Sequence, residues 1–121
     1  MTSTNLVPIY RSDGEWVALL QDRHLYNLRG EWIGWLEGRA VFTRDGEYAG
    51  ELSNDQRILR QRVRPQRQLR PAPPPPPPIR VPPRVPLAPL LAELAWSVVD
   101  IFEEEPEIFE FISEIRPDWE G

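Results

Sequence analysis

Three glutamates stand sixteen residues apart in this 121-residue chain, Glu15, Glu31 and Glu47, each directly after a glycine. Carboxylates gathered into a ring could hold a cation or exchange protons with a substrate. The same glutamates also suit exposed positions after tight turns, and the sequence favours that simpler role. His24 is the only histidine and there is no cysteine, so no histidine pair or thiolate is available to a metal and no disulfide can form. All 14 basic residues are arginine. Without lysine, Schiff-base chemistry and the phosphate-binding lysine loop drop out. Ser97 and Asp100 lie three apart with no histidine beside them. The expectation is a protein that is not an enzyme, with no catalytic residue, no bound metal and no cofactor.

Arginine offers a second kind of chemistry. The net charge of −5 conceals a division: residues 57–86 hold eight arginines and no acid, whereas residues 87–121 hold ten acids and one arginine. Arg60, Arg62, Arg64 and Arg67 could contact phosphates. No aromatics are interleaved to stack bases, and the acidic balance opposes steering onto a polyanion. Nucleic-acid binding through residues 57–70 therefore stands as the alternative reading. Further along, Arg80-Val81-Pro82-Pro83-Arg84-Val85-Pro86 fits an Arg-x-x-Pro-x-x-Pro ligand for an aromatic groove, with Arg80, Pro83 and Pro86 at its key positions.

The elements that position these groups begin with a repeat. Ile9-Tyr10 to Leu20, Leu25-Tyr26 to Leu36 and Val41-Phe42 to Leu52 share one pattern without gaps: apolar, aromatic, three turn residues, Gly-Glu, aromatic, apolar, small, any, Leu. Each unit reads as a β-hairpin. Gly14, Gly30 and Gly46 fall where a sharp turn needs positive φ, and Asp13-Gly14 and Asp45-Gly46 are turn pairs. Period-two alternation puts Trp16, Ala18 and Leu20 on one face, with Trp32, Gly34 and Leu36, and Tyr48, Gly50 and Leu52, as their counterparts. That face is the expected core, and its small central position implies close backbone approach. Residues 57–63 read as a closing strand pairing near Leu6–Tyr10, which would remove an exposed edge.

These Gly-Glu-aromatic hairpins, the arginine- and proline-rich stretch after them and the Trp96-Ser97-Val98-Val99-Asp100-Ile101-Phe102 segment are similar to the four-fold β-flower domain proteins. These form a largely uncharacterised family of small bacterial, often cyanobacterial, proteins. The resemblance is close over residues 6–63 and general beyond. It implies a compact β domain with pseudo-four-fold symmetry, of which three units are plain here, and it implies no activity.

The expected organisation is mainly β with a helical tail: a repeated-hairpin domain over residues 1–63, an Arg/Pro-rich strap over 64–86 and an acidic helical tail over 87–121. Six consecutive prolines, Pro73–Pro78, favour polyproline II, in which residues 71–86 would span roughly 50 Å. In the tail, Leu87, Leu90, Leu91, Leu94, Val98, Ile101 and Phe102 recur at helical spacing, predicting a helix over about 88–103. Pro106 then opens a second amphipathic helix carrying Ile108, Phe111, Ile112 and Ile115. Leu90, Leu94, Val98, Phe102, Ile108, Phe111, Ile112 and Ile115 are the candidate contacts for a partner. The expected function is a structural or adaptor protein whose β domain is a rigid head and whose strap and helices join a protein partner or a second copy. The opening Met1-Thr2-Ser3-Thr4-Asn5 lacks the features of a secretory signal. No apolar run approaches the roughly 18 residues of a membrane span. The cytoplasm is the expected location.

Overall fold

The computed structural model describes residues 6–63 and 65–109. Eight antiparallel strands succeed one another in a single curled meander: β1 (Leu6–Tyr10), β2 (Trp16–Gln21), β3 (His24–Tyr26), β4 (Trp32–Glu37), β5 (Ala40–Thr43), β6 (Tyr48–Leu52), β7 (Ile58–Gln61) and β8 (Val98–Asp100). They group as four hairpins, β1–β2, β3–β4, β5–β6 and β7–β8. The first three are the sixteen-residue units. The fourth is completed by β8, taken from the segment expected to be helical.

The repeat is most regular at its turns. Arg11 N–H donates to Glu15 O and Gly14 N–H to Arg11 O, each at 2.8 Å, and the same two bonds recur at Asn27–Glu31 with Gly30 and at Thr43–Glu47 with Gly46. The glycines have φ of +89°, +80° and +89°, where a side chain would be strained. Between hairpins, Asp22 and Gly38 take positive φ in two short connections. The β6–β7 connection is longer and uses the sharp-turn bonding, with Gln56 at φ +65° in the glycine's place. Its Ser53-Asn54-Asp55 run favours a turn, but without the glycine it does not match the repeat.

The core divides differently from expectation. Ile9, Leu25, Val41 and Ile58 hold equivalent places on the first strands of the four hairpins and are fully buried; Ala18, Leu20, Ile33, Leu36, Ala49, Val99 and Ile101 are buried with them. Trp32 instead joins Leu19, Tyr26, Trp35 and Phe42 in a second, aromatic cluster, with Trp16 and Tyr48 packed against it. The cause is a register shift in each unit, between Ile9 and Tyr10, Leu25 and Tyr26, and Val41 and Phe42. One extra residue in a strand turns the side chains beyond it to the opposite face. The aromatic at the start of each second strand therefore leaves the face held by Ala18 and Leu20. The small central position behaves as expected: a Cβ on Gly34 would lie 2.4 Å from Phe42 O.

The helix predicted over 88–103 is not formed. Residues 65–95 carry no helix or strand, yet from Pro73 through Leu94 every third residue is partly buried, and of those between only Val81 is. The backbone groups a helix would need are used sideways. Ala92 O accepts from Arg57 at 2.8 Å, Ser97 O accepts from Arg62 N–H at 2.7 Å and Trp96 O accepts from the Arg62 side chain at 2.8 Å. Pro86 and Pro89 also remove donors and disfavour helix in the residues before them. Among the described residues only one turn, α1 (Ile101–Glu104), is α-helical, capped by Asp100, whose carboxylate accepts from Phe102 N–H at 3.0 Å. The second predicted helix begins as a 3-10 turn over Pro106–Phe109. The rest of that prediction, with Phe111, Ile112 and Ile115, lies outside the described residues. Phe102 and Phe109 stack at 5.2 Å, and Phe102, Ile108 and Phe109 pack on the apolar cluster.

Candidate functional site

The strap between β7 and β8 runs past the turns in reverse order. Arg70 N–H donates to Gly46 O at 2.9 Å and Ile79 N–H donates to Gly30 O at 3.1 Å. Both donors are non-proline residues flanking the proline run, the places where a backbone N–H exists to give. The approach is close: a Cβ would sit 1.9 Å from Arg70 O at Gly46 and 2.1 Å from Ile79 O at Gly30. These two glycines serve the strap as well as the turn. Ile79 and Val81 pack on the aromatic cluster. Next, the Tyr10 hydroxyl donates to Pro86 O, and burial raises its pKa, which keeps it a donor.

The strap ends in a polar clasp. Buried Arg57 donates to Asp55 at 2.6 and 3.1 Å, to Ser12 Oγ at 2.8 Å and to Ala92 O at 2.8 Å. Buried Asp100 accepts from both the N–H and the hydroxyl of Ser12 at 2.7 Å. Gln56 adds a bond from its side chain to Pro8 O at 2.7 Å, and its carbonyl accepts from Tyr10 N–H at 2.8 Å. The fourth hairpin is thus tied to the first by side chains and the β6–β7 turn. The closing strand at 57–63 does not itself pair with β1; it lies between β6 and β8. Burial pushes the Asp55 carboxyl up, but Arg57, the Ser53 hydroxyl and Ala92 N–H outweigh it, and the net pKa is below the ordinary value.

The arginines named for phosphate are engaged within the chain. Arg60 is buried on β7 and reaches Glu105 at 3.7 Å. Arg62 lies over the Trp96 ring at 4.9 Å, and Arg67 over Tyr48 at 4.0 Å. Arg64 lies outside the described residues. Glu15, Glu31 and Glu47 are exposed on separate turns, and no group of three metal-binding side chains comes together among the described residues. Of the partner contacts, Leu90 is 96% exposed, Leu94 and Val98 are partly buried, and Phe102 and Ile108 dock on the chain's own core. Arg80, Pro83 and Pro86 are all exposed, while Pro82 and Val85 face inward between them.

The 4-fold beta flower protein family matches residues 3–103, across the hairpins, the strap and β8. The chain belongs to that family. No curated protein and no solved structure matches it. The four petals of this flower are the four hairpins, and the fourth has the strap for its turn. Sequence reasoning reaches three petals because it depends on the Gly-Glu turn. The signal for the fourth is the Val98-Val99-Asp100 run, which is short, β-branched and poorly suited to a helix interior. No helix among the described residues is long and apolar enough to cross a membrane.

Proposed function

We propose that this beta flower is a non-enzymatic adaptor that holds its own strap in polyproline II form and presents the strap's outer ridges to a protein partner. The burial of every third residue from Pro73 to Leu94 carries this reading. Polyproline II has three residues per turn, so one ridge of three faces the head and two face out. Arg80, Pro83 and Pro86 lie on one outer ridge, and Leu87 and Leu90 continue the other. A strap already ordered on a rigid head loses less entropy on capture than a free peptide does. Aromatic-groove domains that read proline ligands are the fitting partners.

The nucleic-acid alternative has weaker support, because Arg60, Arg62 and Arg67 already have partners in the chain. A cytoplasmic location belongs to the same proposal and agrees with a chain that has no cysteine. Calorimetric titration of the full chain against a panel of SH3 and WW domains tests it. At least one should bind, and Arg80→Ala with Pro83→Ala should abolish the binding. A panel that gives no heat, or binding indifferent to both substitutions, refutes the outer-ridge reading. Light scattering of the same samples reports whether the partner is a second copy.

A further inference from the structure

We infer that the strap pairs with the strap of a second copy of this chain, along the ridge that holds Arg84, Leu87, Leu90 and Glu93. These residues stand three apart, so the three-residue turn of polyproline II sets them in one row, about 9 Å between neighbours. All four are exposed, and the chain runs from Arg84 to Ala95 without a bend or turn. Leu87 is 94% exposed and Leu90 is 96% exposed, more than any other large apolar side chain among the described residues. The side chains of Arg84 and Glu93 have no hydrogen bond or ion pair among the described residues. By contrast Arg57, Arg60, Arg62, Arg67 and Arg70, from the same basic stretch, each have a partner within the chain.

The row reads cation, leucine, leucine, anion, and it is its own complement. A two-fold axis midway between Leu87 and Leu90 sets Arg84 opposite the partner's Glu93 and Leu87 opposite the partner's Leu90. Each contact then occurs twice, as in any isologous interface. A parallel arrangement would set arginine against arginine and glutamate against glutamate, so charge fixes the direction. Burial of the four leucines between the straps drives the association. Polyproline II suits this role. It has no ladder groups to extend a sheet, and a strap already ordered on its head loses little entropy on pairing. One ridge offers less surface than the roughly 1,200 Å² of a stable complex, so the dimer is weak and forms at high concentration. The inference shares with the adaptor proposal the polyproline II form of the strap, but it needs no aromatic-groove partner.

Sedimentation equilibrium of the full chain, carried to millimolar concentration, tests the pairing. A monomer–dimer equilibrium that weakens with salt is expected. Arg84→Glu alone, or Glu93→Arg alone, places like charges at both ends of the contact and should weaken the dimer about tenfold. Mixing the two single variants in equal amounts, or combining both changes in one chain, sets opposite charges face to face again and should restore the native affinity. Leu87→Ser with Leu90→Ser should abolish association and leave urea unfolding unchanged. Arg80→Ala, on the neighbouring ridge, should leave the dimer intact while weakening capture by an aromatic groove, so the two proposals fail separately. A chain that stays monomeric at millimolar concentration overturns the inference. So does a dimer indifferent to the leucines or to the single charge reversals, and so does a mixture of the single variants that regains no affinity. Every substituted side chain is exposed, so these variants keep the fold.

Discussion

Three petals of this molecule close through sharp glycine turns, and the fourth closes through residues 62–97. The strands hardly register the difference: Ile9, Leu25, Val41 and Ile58 are equally buried. The contrast separates two tasks that a hairpin usually performs together. Strand pairing and core burial define the petal, whereas the turn fixes only how cheaply its strands meet. The long connection is nearly three doublings longer than the short ones, which costs roughly 1.8 kcal/mol more in closure entropy. That cost is offset by the Arg57 bond to Ala92 O, the Ser12–Asp100 bonds that hold β8, and the strap's two glycine contacts. The short petals are held by local chemistry. The long one is held by bonds to every other petal.

The sharpest way to break this comparison is at the clasp. Arg57→Met leaves Asp55 without its cation and removes the bonds to Ser12 and Ala92, and it should cost about 3 kcal/mol in urea unfolding. Arg11→Ala, at an exposed pair with Asp13, should cost no more than about 0.5 kcal/mol. Equal effects would mean that the clasp does not close the fourth petal.

A smaller effect separates the glycines. Gly14→Ala incurs only the strain of positive φ, about 1 kcal/mol. Gly30→Ala and Gly46→Ala also drive a Cβ into a strap carbonyl. They should cost about 1–2 kcal/mol beyond that strain and, by loosening the strap, speed tryptic cleavage after Arg80 and Arg84. If all three variants resist trypsin alike, the strap is not seated on those turns.

Acidity supplies a third handle, one on each side of the comparison. His24 in the short petals has its pKa lowered, first by burial and then by Arg23. Its contribution is complete above the unfolded value near 6.5 and is lost as pH falls through the lower folded value. His24→Gln should flatten that limb of a stability–pH curve. Asp55 in the clasp is lowered as well, so its contribution persists to more acid pH and disappears only below the ordinary carboxylate range. A stability–pH curve that His24→Gln leaves unchanged would contradict this assignment.

The smallest effect is expected on the outer ridge. Leu90→Ser should change stability by less than about 0.5 kcal/mol, since the side chain is almost wholly exposed. A large loss would restore the tail helix that the leucine spacing suggests.

That spacing shows why the fold is only partly legible in the sequence. Gly14, Gly30 and Gly46 announce their turns because few residues reach positive φ, so three hairpins can be read directly. The faces cannot, because a bulge leaves no mark in composition: Trp16 and Ala18 are two apart and still end on different sides. Residues 85–95 mislead because a period of three and a period of 3.6 diverge slowly over so few residues. The deciding information is the capture of Ala92 by Arg57, a contact between segments far apart in sequence.

Because β8 comes after the strap, the last strand of the sheet is also among the last pieces of the domain to leave the ribosome. Three petals can assemble on a nascent chain while β7 still shows a bare edge. The 36 residues of the long connection must be made before Val98 can pair with β7. Speed of translation through the six prolines thus becomes a determinant of how long an unfinished sheet stays open to a neighbour.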